Sequence, residues 1–179
     1  MQIRIYFFVI ALFFVAGSSQ AQQQICKSTT IVASTNHLVG GSDGTVTDSK
    51  TKLMWKRCPE GFNYSSANNT CAAAAGTASL YTWSNALARP GVANATKFAN
   101  YENWRLPNIK ELQSIVEEQC YNPAINLTIF PSTSISSVWS NSPLPDASNA
   151  WYINFYFAEM LYGSLSSENL GVRLVRDMQ

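Results

Sequence analysis

The stretch Trp104-Arg105-Leu106-Pro107-Asn108-Ile109-Lys110-Glu111-Leu112 reads as an extended segment running into a helix. Pro107 keeps the residue before it out of helical angles, and Asn108 is a residue type whose side chain accepts from the free amides of a first turn. Glu111 stands three positions on, where its carboxylate reaches back to the Asn108 amide, so the helix is expected to start at Asn108 or Ile109. Ile109, Leu112, Ile115 and Val116 recur at helical spacing and mark the face turned to the core. Lys110, Glu111, Glu117 and Glu118 fall mostly on the other face, where the acid pair is read as solvated surface and not as a general acid and base.

Outward toward the N-terminus, Arg4 precedes an almost wholly apolar run from Ile5 to Ala16, followed by Gly17-Ser18-Ser19-Gln20-Ala21. A basic start, an apolar stretch too short for a comfortable bilayer span and small residues before a cut after Ala21 describe a secretory signal peptide at 1–21. Residues 22–44 then form an N-terminal arm with a short apolar piece at Ile31 and Val32, and 45–179 form one domain large enough for its own core. Of the 12 Lys and Arg, Arg4 leaves with the signal peptide, and the remainder equal the 11 Asp and Glu. That balance gives no overall attraction to nucleic acid or to an anionic membrane, and only a local patch could hold a polyanion.

The four cysteines, Cys26, Cys58, Cys71 and Cys120, are an even set in an exported chain, so disulfides are the expectation, with three possible connectivities. Joining Cys58 to Cys71 closes only the Gly-, Asn- and Ser-rich stretch 59–70 and loses the least chain entropy, which leaves Cys26 for Cys120. No CxxC spacing exists and His37 is the only histidine, so neither a metal site nor a cofactor is expected.

Residues 45–47 and 52–55 read as two strands around the turn Asp48-Ser49-Lys50-Thr51, and 72–79 as featureless. A short amphipathic helix over 81–89 carries Trp83 and Leu87 one turn apart and is expected to stop at Pro90-Gly91. Beyond the core helix, 122–131 is a long loop with buried Ile125, Ile129 and Phe130, and 138–142 is a strand ending at Pro143. Residues 150–156 alternate, with Trp151, Ile153 and Phe155 on one face and Tyr152, Asn154 and Tyr156 on the other. A loop over 158–169 and a last strand over 171–176 complete an α+β domain.

The segments "TVTDSKTKLMWKRC", "YTWSNALA", "NWRLPNIKELQSIVE", "NPAIN", "IFP", "VWSNSP", "AWYINFYF" and "VRLVR" occur in the order seen in the Lcl C-terminal domain-like family, which this chain resembles from about Thr45 to Arg176. The resemblance implies a C-type lectin-like fold: two helices, short antiparallel strands and long loops, with a "WRLPN" segment leading into the second helix and an "RLVR"-like strand pairing with the first. That fold is similar to the one in formylglycine-generating enzymes and in variable receptor-binding proteins of some phages. The collagen-like adhesin that gives the family its name uses such a domain to bind sulfated glycans. No Gly-every-third repeat stands before residue 45 here, so the trimer and avidity of a collagen stalk are not expected of this chain.

Formylglycine-generating relatives use two copper-binding cysteines late in the domain, and no cysteine follows Cys120. His37 sits in a polar arm, and the Gly-x-Ser-x-Gly string Gly40-Gly41-Ser42-Asp43-Gly44 lies in that same arm and runs into the strand at 45–47 instead of a helix, which speaks against hydrolase chemistry. Lectins of this fold gather carboxylates and amides around calcium, whereas Asn122-Pro123-Ala124 lacks the acid and Trp139-Ser140-Asn141 lacks a following Asp. Aromatic and amide groups remain: Tyr152, Asn154 and Tyr156 on one strand and Asn141 on its neighbour form the candidate ligand face. Arg105, Arg173 and Arg176 form a candidate polyanion patch if they converge, the competing role being to tie strands to carboxylates such as Glu111. The five tryptophans are assigned to the core. The sequence therefore points to an exported, non-catalytic binding or adhesion module for a glycan or protein ligand in the periplasm or at the bacterial surface, with an assembly subunit as the alternative.

Overall fold

In the computed structural model, which describes residues 24–27, 35–75, 80–131, 133 and 137–178, Asn108 and Glu111 make both halves of the capping box. Asn108 Oδ1 accepts the Glu111 amide at 2.9 Å, and Glu111 Oε2 accepts the Asn108 amide at 2.7 Å. The expected signal peptide and the apolar piece at Ile31 and Val32 lie outside the described residues. In chain order the strands are β1 (Ile25–Cys26), β2 (Leu38–Gly40), β3 (Thr45–Asp48), β4 (Leu53–Lys56), β5 (Phe62–Ser65) and β6 (Thr70–Ala73). Then come α1 (Trp83–Ala95), a 3-10 turn (Phe98–Asn100) and α2 (Ile109–Gln113). The chain ends with β7 (Cys120–Tyr121), β8 (Ser137–Pro143), β9 (Asn149–Asn154), β10 (Glu159–Ser164) and β11 (Val175–Asp177). Among the described residues the domain is mixed and strand-rich, with two α-helices and two disulfides.

One antiparallel sheet has the order β11-β4-β3-β2 and a second the order β10-β9-β8; β5 pairs with β6 and β1 with β7. The turn between β3 and β4 forms as expected, because buried Asp48 accepts the Lys50 and Thr51 amides on Oδ1. The quoted extended segment joins the two sheets. Arg105 exchanges both backbone bonds with Val175 of β11, Asn141 of β8 donates its amide to the Pro107 carbonyl, and the Ile109 amide donates to Ser142 Oγ. Two apolar clusters result. Val46, Trp55, Leu112, Ile115, Phe130 and Ile153 belong to one, and Met54, Trp104, Leu106, Trp139, Ala150 and Leu174 to the other.

Both expected cystine pairs form, Cys26–Cys120 and Cys58–Cys71, at sequence separations of 94 and 13. Several expectations need correction, among them the last strand, expected over 171–176 and formed only at Val175–Asp177. The first helix does not stop at Pro90 but runs through it to Ala95. Pro90 has no amide to give the Ala86 carbonyl, yet tertiary bonds hold the continuation: Asn94 Oδ1 accepts the Trp104 amide at 2.7 Å, and Asn94 Nδ2 donates to the Trp104 carbonyl at 3.0 Å. The second helix ends at Gln113, so Ile115 and Val116 are buried from a turn, and Glu117 is buried with Thr35 donating to it instead of lying on a solvated face. The cysteine-closed stretch is the β5–β6 hairpin, with Asn69 at φ 50 in its turn. The stretch 158–169 contains β10, paired along its whole length with β9.

Candidate functional site

The sheet β10-β9-β8 packs on both sides at its centre and is open at one edge. Ile153 of β9 is buried in one cluster and Ala150 in the other, so β9 has no free face. At β10 the packing runs out. Met160 lies opposite Ile153 and Tyr162 opposite Trp151, so these two side chains share the Trp151 face, and both are exposed. Tyr162 meets the half-buried Trp151 edge to face, with ring centroids 5.9 Å apart. In the β9–β10 turn Tyr156 and Phe157 pack edge to face at 4.4 Å. Phe157 is 58% and Tyr162 59% exposed, which is unusual for rings that otherwise build cores. The Tyr156 carbonyl accepts the Asn122 amide, which brings the exposed Tyr121 next to the turn.

The four residues expected to form a ligand face are not gathered into one. Tyr152 is half-buried against Trp139, ring centroids 5.8 Å apart, and burial, with the charges of Glu168 and Glu159 adding, raises its phenol above the ordinary range. Asn154 spends its side-chain oxygen on the Tyr156 amide at 2.8 Å and so caps the turn. Tyr156 lies beyond the end of β9, in that turn, and is 37% exposed. Asn141 is exposed but sits in the β8 irregularity between Trp139 and Pro143, while Asn154 pairs with Ser137 at the opposite end. Of the residues that the alternation turns inward, Ile153 and Phe155 are buried and Trp151 is half-buried, while Ala150 is buried on the opposite face. Met160 and Tyr162 escape that alternation because 158–169 reads as a loop, and Phe157 because it follows the end of the expected strand.

The arginines form no exposed patch, because two of them are buried. Arg173 is 0% exposed: Nη1 donates to the Lys56 carbonyl at 3.1 Å and the Arg57 carbonyl at 2.6 Å, and its guanidinium lies 4.6 Å from the centre of the Phe130 ring. Among the described residues no carboxylate pairs with it, and burial pushes its pKa down to about 9, which still leaves it charged at neutral pH. Arg176 is buried too, on the Tyr101 ring, with Nε donating to Asn103 Oδ1 at 2.7 Å. Arg105 grips Glu111 with two bonds of 2.8 Å and Asp177 with one of 2.9 Å, and the bond to Glu111 is the largest cause of its raised pKa.

His37 Nε2 stands 3.6 Å from Asp48 Oδ1, whose carboxylate also holds the β3–β4 turn. Among the described residues no group of three or more His, Cys, Asp or Glu could hold a metal ion, and no helix is long and apolar enough to cross a membrane.

The sequence matches the family model of the Lcl C-terminal domain over residues 44–176. The chain belongs to that family. No curated protein matches it. The Lcl C-terminal domain thus takes in β3 through β10 and most of β11, while β1 and β2, with the Cys26 end of one disulfide, precede the matched region. Both the buried arginines and the open hairpin edge are inside the Lcl C-terminal match.

Proposed function

We propose that this Lcl C-terminal domain is an exported, non-catalytic binding module with a C-type lectin-like fold, which takes a glycan on the β9–β10 hairpin. The observation that carries this reading is two exposed aromatic pairs on one hairpin, Tyr156 with Phe157 in its turn and Tyr162 with half-buried Trp151 on its strands, together with the exposed Met160 of β10. Ring faces stack on the apolar faces of sugar rings, and covering such surface is worth roughly 25 cal/mol per Å². The fold assignment draws support from the extended entry into α2, while the closing strand β11 pairs with β4 and not with the first strand of the domain, β3. Export draws support from the two disulfides, which persist in oxidising compartments.

A glycan array probed with the oxidised mature chain, with and without chelator and at two salt concentrations, tests this. Binding is expected to survive both chelator and salt, because the contacts are stacking contacts, Arg173 and Arg176 are buried and Arg105 is paired with carboxylates. No retained glycan would overturn the reading. An assembly role has its own support: β10 is the edge strand of its sheet, an available template for a strand of another chain. Concentration-dependent association without glycan binding would favour it.

A further inference from the structure

Charge and empty space meet between the β5–β6 hairpin and the end of α1. Two adjoining cavities there, of about 150 and 200 Å³, share Lys56, Phe62, Asn63 and Phe98 among their walls, and the first adds Glu60 and Arg89. Glu60 is only 3% exposed and is shared by two cations: Oε1 accepts Lys56 Nζ, and Oε2 accepts Arg89 Nη2 at 2.9 Å and Nε at 3.3 Å. The trio therefore carries one uncancelled positive charge. These contacts engage one of the three ammonium donors of Lys56 and two of the five guanidinium donors of Arg89. Lys56 Nζ also lies 4.5 Å from the centre of the Phe98 ring.

A network that served only to tie α1 to β4 would gain by closing around its charges. Here the space beside them is kept open and walled by two rings. Phe98 is delivered to it by a backbone that holds Lys97, Ala99 and Asn100 in the left-handed region at φ 49, 53 and 67, a conformation that costs energy for residues with a Cβ. Gly44, at φ 83, would place a Cβ 3.2 Å from Phe98 Cζ, so glycine leaves room for that ring.

We propose that this cleft binds a small organic monocarboxylate, with the acid group received by Lys56 and Arg89 and an apolar body laid against Phe62 and Phe98. One negative charge completes the balance of the trio, and Glu60 already shows that both cations accept a carboxylate in this arrangement. The site is separate from the β9–β10 hairpin and does not depend on the glycan reading. Its acid group could come from a free organic acid or from a peptide C-terminus, and benzoate and N-acetylphenylalanine serve as probes of the two.

The test is a ¹H–¹⁵N NMR titration of the oxidised mature chain with each probe, with benzamide as the uncharged match and sodium chloride as the ionic control. Saturable shifts at Asn63 and Thr96 with either acid, and none with benzamide, are expected; the tighter probe identifies the source. Arg89→Gln is expected to weaken binding about tenfold, the usual scale for a lost charged hydrogen bond. Glu60→Gln is expected to tighten it, because the ligand then replaces the missing carboxylate. Asn63→Asp, an exposed change that leaves the trio intact, is expected to weaken it even if the other two variants fold poorly. Absence of saturation with both acids, equal shifts from benzamide or chloride, or weaker binding by a folded Glu60→Gln chain would overturn the proposal.

Discussion

Arg173 and Arg176 in the closing segment are buried among backbone carbonyls, an amide and aromatic rings, and Arg105, on the segment that pairs with it, is held by two carboxylates. On the β9–β10 hairpin the side chains that ordinarily build a core, Phe157, Met160 and Tyr162, lie open to solvent. The two regions reverse the usual distribution of charged and apolar groups, and under the proposed function the reversal separates stability from recognition. A buried guanidinium bonded to nearby carbonyls or amides holds segments together and is out of a partner's reach, even though Arg173 Nε itself has no hydrogen-bond partner among the described residues. An exposed ring at a sheet edge contributes little to folding and retains its capacity to be covered.

The contrast breaks most visibly at Arg173. Arg173→Ala removes the donor to two carbonyls and leaves a void beside Phe130, and is expected to cost about 4 kcal/mol in urea unfolding. A loss below about 1 kcal/mol would mean that the closing segment is not held as described. Asn108→Ala removes one side of the capping box at the junction between the sheets and is expected to cost about 1 kcal/mol by the same measurement. A smaller effect sharpens the comparison on the sheet that carries the hairpin. Asp146, in the β8–β9 turn, accepts from the Asn149 side chain and from the Ser148 and Asn149 amides, which lowers its pKa below 3.8. A depressed carboxyl stabilises the fold above its unfolded value and loses that contribution as pH falls through the folded value, so the Ser148 and Asn149 amide signals are expected to titrate with a midpoint below the ordinary aspartate value of 3.8. A midpoint at or above 3.8 would contradict the turn geometry.

The sequence was most informative where one local signal had one structural answer. Asn108 and Glu111 announced the cap, Asp48 the turn, and the spacing of Cys58 and Cys71 the shorter disulfide. It was least informative where the answer came from elsewhere in the chain. Pro90 is a stop signal in isolation, and only the bonds between Asn94 and Trp104 carry α1 past it. Strand β10, Glu-Met-Leu-Tyr-Gly-Ser, lacks polar alternation because it is an edge partner of β9, and its turn uses Ala158 at φ 63 where a glycine or asparagine would have marked it. Nothing local tells a buried arginine from an exposed one, so Arg173 and Arg176 were read as surface candidates. The same gap hid Phe157 and Tyr162, the residues on which the candidate site now rests.

The central claim, that the hairpin aromatics serve recognition and not folding, is tested most directly by measuring glycan binding and urea stability together on a Phe157→Ser, Tyr162→Ser chain. The account predicts stability within about 0.5 kcal/mol of the parent, as for surface changes, with glycan binding lost. Retained binding, or a chain that unfolds with the rings gone, would contradict it.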